Sequence, residues 1–185
     1  MPLAVLMAEN QFDGLDYQLI CDPGSRALIV LDSIEYAKRL GVYFSLSGRF
    51  DLASGASSYL LCRVNSAHRL IVGVMAISTT DGPLDSALYE SPTLTSPGTP
   101  ITPVNVNRTA GPSNIQVFGG PAVTSDGTRI MYSLVPAGHK DSGSGSSNFS
   151  GMILKQNTDY VFKVTNLGNS TATVAYNFEW IEEPV

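Results

Sequence analysis

Between residues 171 and 181 the chain alternates with a period of two. Ala172, Val174, Tyr176, Phe178 and Trp180 are apolar, while Thr173, Asn177 and Glu179 between them are polar. A helix repeats every 3.6 residues and would scatter those apolar groups around its axis; a strand puts them all on one face. Residues 160–165 repeat the pattern, with Tyr160, Phe162 and Val164 on one side. The turn-forming run 166–170 (Asn-Leu-Gly-Asn-Ser) predicts that the two strands form a hairpin. Tyr160, Phe162, Tyr176, Phe178 and Trp180 are read as core or interface aromatics, in preference to an exposed platform for sugar rings.

The centre of the chain has the same character. Residues 58–64 and 69–79 read as strands joined by Asn65, Ser66, Ala67 and His68. The second is apolar on both faces (Ile71, Val72, Val74, Met75, Ile77), which predicts a central, covered strand. Shorter strands are expected over 41–46, 84–90, 115–118, 129–134 and 149–155, punctuated by Asp81-Gly82-Pro83, Pro97-Gly98, Gly119-Gly120-Pro121 and Asp126-Gly127. One short helix fits near the N-terminus. Asp32 would cap it, Glu35 lies in its first turn, Lys38 and Arg39 in its last, and Gly41 would stop it. Residues 91–111, with four prolines, read as a long ordered loop, and the Gly/Ser-rich run 141–147 as a mobile one. The pattern predicts an all-β fold, a jelly-roll-like antiparallel β-sandwich with at most one short N-terminal helix. The sandwich is placed at 51–185, with 1–50 as an arm or small lobe.

Composition narrows the function. Only 15% of the 185 residues are charged, against about 25% in an ordinary domain. The net charge of −5 opposes a groove that neutralises phosphates, so no nucleic-acid partner is expected. The longest strongly apolar run, 70–77, is far short of the roughly 20 residues of a membrane helix, and no membrane partner is expected. The N-terminal Met-Pro-Leu-Ala-Val-Leu has no basic segment, so synthesis in a cytoplasm is expected.

The residues that carry chemistry are sparse. His68 and His139 both fall in predicted turns, and no G-x-S-x-G elbow accompanies them, so no catalytic residue is expected. Gly143-Ser144-Gly145 lacks the lysine of a phosphate-binding loop. Cys21 and Cys62 have neither metal spacing nor a disulfide framework, and Cys62 reads as a buried thiol. Glu179, Glu182 and Glu183 are the only acidic cluster, with Glu182 and Glu183 read as a solvated tail. Neither metal nor cofactor is expected. Glu90 ends a strand and Arg108 lies in the long loop after it, so a Glu90–Arg108 ion pair is expected to pin that loop.

An ordered set of segments covers the chain from residue 58 onward. Tyr59-Leu60-Leu61 and the strand 69–78 are followed by Leu88-Tyr89-Glu90-Ser91-Pro92-Thr93, Gly98-Thr99 and Asn105-Val106-Asn107-Arg108. Then come residues 121–128 (Pro-Ala-Val-Thr-Ser-Asp-Gly-Thr), Ile153-Leu154-Lys155, residues 159–166 (Asp-Tyr-Val-Phe-Lys-Val-Thr-Asn) and Glu179-Trp180-Ile181-Glu182. In this order they resemble a family of tailed-bacteriophage virion structural proteins, of the capsid decoration or cement kind. The chain departs from that pattern at Thr109-Ala110-Gly111-Pro112, where the family carries further polar residues, and over its first 50 residues. The resemblance implies a jelly-roll subunit that binds itself and the major capsid protein on the virion surface. A closed ring at a lattice symmetry axis makes a homotrimer the expected form. The alternative is a carbohydrate-binding or host-adhesion module of a tail or fibre on the same kind of sandwich.

Overall fold

The computed structural model describes residues 6–9, 16–21, 28–29, 33–79, 82–136, 145–149 and 151–184, with side chains considered for 33–79, 82–136 and 151–184. The chain begins with β1 (Leu6–Glu9), β2 (Asp16–Cys21), β3 (Leu28–Ile29) and α1 (Ser33–Leu40). The long strands β4 (Tyr43–Leu52), β5 (Ser57–Val64), β6 (His68–Thr79) and β7 (Leu84–Glu90) follow. Next come short strands: β8 (Thr93–Ser96), β9 (Thr99–Ile101), β10 (Val104–Asn105), β11 (Gln116–Gly119) and β12 (Ala122–Ser125). The chain closes with β13 (Thr128–Val135), β14 (Gly145–Phe149), β15 (Ile153–Leu154), β16 (Thr158–Asn166) and β17 (Ala172–Pro184).

Two six-stranded antiparallel sheets make the sandwich. The first has the order β10-β4-β17-β6-β14, with β15 also on β6; the second has the order β13-β7-β16-β5-β11-β9. Eight strands set the topology: β4, β5, β6, β7, β13, β14, β16 and β17. In that chain order the first pairs with the last, the second with the seventh, the third with the sixth and the fourth with the fifth. A long antiparallel ribbon folded back across two facing sheets produces this order, which is compatible with a jelly roll.

That topology corrects the hairpin expected at residues 160–181. β16 pairs with β5 and β7 in one sheet, while β17 pairs with β4 and β6 in the other. The turn between them carries the chain across the sandwich. Both strands present an apolar face to the same interior, and Phe162 meets Phe178 across it edge-on, with ring centroids 5.1 Å apart. The side-chain Nδ2 of Asn166, which is fully buried, donates to the carbonyls of Leu52 and Ser170, both at 2.8 Å, and its Oδ1 accepts from the Gly168 amide. Every polar atom of that buried side chain is thereby used at the corner.

The expected boundary at residue 50 falls inside β4, whose pairing with β17 runs from Tyr43 to Leu52. The sandwich therefore begins ahead of residue 51. Upstream, β1, β2 and β3 form a three-stranded antiparallel sheet of their own. α1 is eight residues long, has Glu35 in its first turn and Lys38 and Arg39 in its last. It ends at Gly41, whose φ of 73° lets the amides of Gly41 and Val42 close on the carbonyls of Lys38 and Ala37. Asp32, the expected cap, lies outside the described residues.

Residues 91–111 are not a plain loop, since β8, β9 and β10 lie within them. β8 pairs only with β12, forming a two-stranded flap that joins neither six-stranded sheet. On β5 and β16, Leu61 and Val161 lie opposite each other and both are fully buried. The flap's return turn is tied down by Asp126, whose Oδ2 accepts from Lys163 Nζ at 2.7 Å. Of the run 141–147, residues 141–144 lie outside the described residues, and 145–147 belong to β14, paired with β6.

Candidate functional site

The five aromatics singled out in the sequence all join the interior. Tyr160, Phe162, Phe178 and Trp180 are buried in the core, and Tyr176 packs half-buried against it, between Phe50 and Phe178. Trp180 stacks on Phe44 with centroids 6.2 Å apart. A sugar platform on these rings has no exposed surface to stand on. Among them lies an apolar void of about 60 Å³ lined by Leu46, Met75, Phe178 and their neighbours. Small-molecule sites run from roughly 300 Å³ upward, so this void is a packing defect.

The Glu90–Arg108 pair does not form. Register places Tyr160 opposite Glu90 on the neighbouring strand. One carboxylate oxygen of Glu90 accepts from Lys155 Nζ at 2.7 Å and the other from the Tyr160 hydroxyl at 3.0 Å. The Lys155 bond holds the Glu90 carboxyl below its ordinary range, with the Tyr160 hydroxyl adding to it. Burial pushes the Tyr160 phenol up to about 12, and the adjacent Glu90 adds to the shift. Arg108 stands exposed in the turn closed by the Ala110 amide on the Asn107 carbonyl.

Pinning of that loop falls to two residues to which the sequence reading gave no such role. Asn105, buried, donates to the carbonyls of Gly41 and Gly111, both at 2.8 Å, and accepts from the Asn107 amide. Glu182 is only 1% exposed, which corrects its reading as solvated tail. Its carboxylate accepts from the Ser113 hydroxyl, from the Asn114 amide at 2.8 Å and from the Trp180 indole N–H at 3.1 Å. Glu183, beside it, pairs with Arg69 at 2.7 Å on the surface. The signal was present: Glu182 continues the period-two face of Phe178 and Trp180, so its side chain had to turn inward.

Groups capable of chemistry stay apart. Among the described residues no three His, Cys, Asp or Glu side chains are gathered where a metal ion could be held. His139 lies outside the described residues, and the part-buried His68 stands at the start of β6 with its amide on Asn65 Oδ1. Burial, together with the negative charges of Glu182 and Asp159, pushes the Cys62 thiol up to about 12, which leaves it protonated and unreactive near neutral pH.

Two surface features remain. One is a polar cleft of about 360 Å³ at the end of the second sheet, where Arg63, Asn114, Gln116, Asn157 and Asp159 converge. Arg63 on β5 lies opposite Gln116 on β11 and Asp159 on β16, so the three form a row across adjacent strands. Arg63 donates to both oxygens of Asp159, each at 2.8 Å, and its guanidinium lies over the Phe118 ring. The other feature is apolar surface at sheet margins. Tyr132 and Leu134 on the margin strand β13 are 50% and 53% exposed, and Val104 on the margin strand β10 is 47% exposed. No helix among the described residues is long and apolar enough to cross a membrane. No family model and no curated protein matches the sequence.

Proposed function

We propose that this chain is a structural component of a tailed-bacteriophage particle, a decoration protein that associates with itself and seats on the major capsid protein to stabilise the shell. The observation that carries the reading is the placement of exposed apolar side chains on the outermost strands of a jelly roll. Sheet margins offer unpaired backbone groups, and proteins that stay single guard them with lysine, proline or bulges. Here β13 offers Tyr132 and Leu134, and β10 offers Val104. Low charge supports the same reading, because few ions must be desolvated when like copies pack. The ordered motifs from residue 58 onward point the same way. A trimer is the proposed form, since a closed ring matches the axes of a capsid lattice and lets several weak shell contacts act together.

The test is location. In an electron-microscopy map of the purified particle, density fitting this jelly roll on the outer capsid surface is the expected result. Density confined to the tail or fibre would replace the decoration reading with an adhesion one.

A further inference from the structure

The cleft beside Arg63 has a chemistry that the assembly reading does not use. Its walls are amides held on fixed backbone. The Asn114 amide N–H is bound by Glu182 and its carbonyl by the Asn65 side chain at 3.0 Å. Asn157 holds a left-handed backbone, φ 51°, with its amide on the Asn65 carbonyl. Gln116 sits in a paired strand opposite Arg63. The side-chain amides of Asn114, Gln116 and Asn157 face solvent, and no hydrogen bond to the described residues uses them. Each offers two donors and an acceptor from a position whose backbone is fixed.

The ligand class follows by elimination. Arg63 is neutralised by the two-point contact with Asp159, so no spare cation is left in the cleft for a phosphate, sulfate or carboxylate. Val64 is the only apolar side chain in its lining, which leaves no pocket for an apolar anchor. The cleft lies over β11, β5 and β16, whose backbones are already spent on one another, so strand addition by a peptide is closed. A volume of about 360 Å³ lies at the small end of ligand sites. What fits is a compact, neutral molecule dense in hydroxyls. We infer that this cleft is a binding site for a neutral saccharide, with the Asn114, Gln116 and Asn157 amides bridging adjacent hydroxyls and the Arg63–Asp159 pair forming the floor.

The experiment is a nuclear-magnetic-resonance titration of isotope-labelled protein with glucose, galactose, mannose, N-acetylglucosamine, maltohexaose and cellohexaose. The expected result is saturable shifts for at least one sugar, centred on the side-chain amides of Asn114, Gln116 and Asn157. Gln116→Ala and Asn157→Gly, the latter keeping the left-handed backbone, should each weaken binding by about tenfold with the melting temperature unchanged. Shifts absent for every sugar, or unaffected by both variants, would overturn the assignment. The double variant is also tested for binding to undecorated particles. Undiminished binding there fits a sugar site independent of the shell, whereas lost binding would make the cleft a protein contact and refute the saccharide.

Discussion

Glu182 shares a strand face with Phe178 and Trp180, where an unpartnered carboxylate would be intolerable. Three donors converge on it, and removing it orphans the Trp180 indole and the Asn114 amide at once, while the Ser113 hydroxyl keeps the Ile115 carbonyl and amide as partners. Glu182→Ala is expected to lower the unfolding free energy by about 3 kcal/mol or more. Glu182→Gln, which keeps the shape and one acceptor, should cost clearly less; equal losses in urea titrations would show that packing, not hydrogen bonding, sets the cost. Tyr160 gives a pH signature. Its folded pKa is raised from 10 to about 12, so its contribution to stability is complete below pH 10 and is lost as pH rises toward 12. Thermal melts between those limits should fall less steeply for Tyr160→Phe than for the parent, by the share that this one phenol supplies. Glu90 works in the opposite direction. Its pKa is lowered by Lys155, so its contribution is present above the ordinary carboxylate range and fades as pH falls through the folded value.

Single elements were legible where periodicity alone defines them. Apolar alternation located β16 and β17, a run apolar on both faces located β6, and the charge pattern with Gly41 located α1, because local sterics and side-chain direction decide those features. Partners were not legible. The run after Val164 ends in Asn166, Gly168 and Asn169, which suits a hairpin and a sheet-to-sheet corner equally; only the rolled ribbon chooses the corner. The cleft was hidden for the same reason, since Arg63, Gln116 and Asp159 are far apart in the chain and meet only through the register of three strands. Pro92, Pro97, Pro100 and Pro103 obscured β8, β9 and β10, which are short strands at or near sheet margins, where proline is tolerated. The flap built from β8 and β12 makes a prediction at this scale. Gly127, at its return turn, has φ 87°, and a Cβ there would sit 2.3 Å from the Glu90 carbonyl oxygen. Gly127→Ala should therefore cost about 2 kcal/mol or more. It should also raise hydrogen exchange at Thr128 and Arg129, which pair with Glu90 and Tyr89 beside that turn. Unchanged exchange there would mean that the turn does not hold β13 in register.

The whole molecule is a β-sandwich with exposed apolar side chains on two margin strands, β13 and β10. The aromatic core and the buried Asn105, Asn166 and Glu182 tie its loops to its sheets. Tyr132, Leu134 and Val104 are apolar side chains left exposed on those strands. Association through β13 should therefore be broken by the change Tyr132→Lys with Leu134→Lys, which places the natural guard residue on that margin without touching the core. The most direct measurement is light scattering of the purified protein at micromolar concentration, alone and as this double variant. A mass near three times the 19.7 kDa chain for the parent, collapsing to one chain for the folded variant, is the predicted result. A parent that scatters as a single 19.7 kDa chain and still binds undecorated particles at full strength would contradict the account.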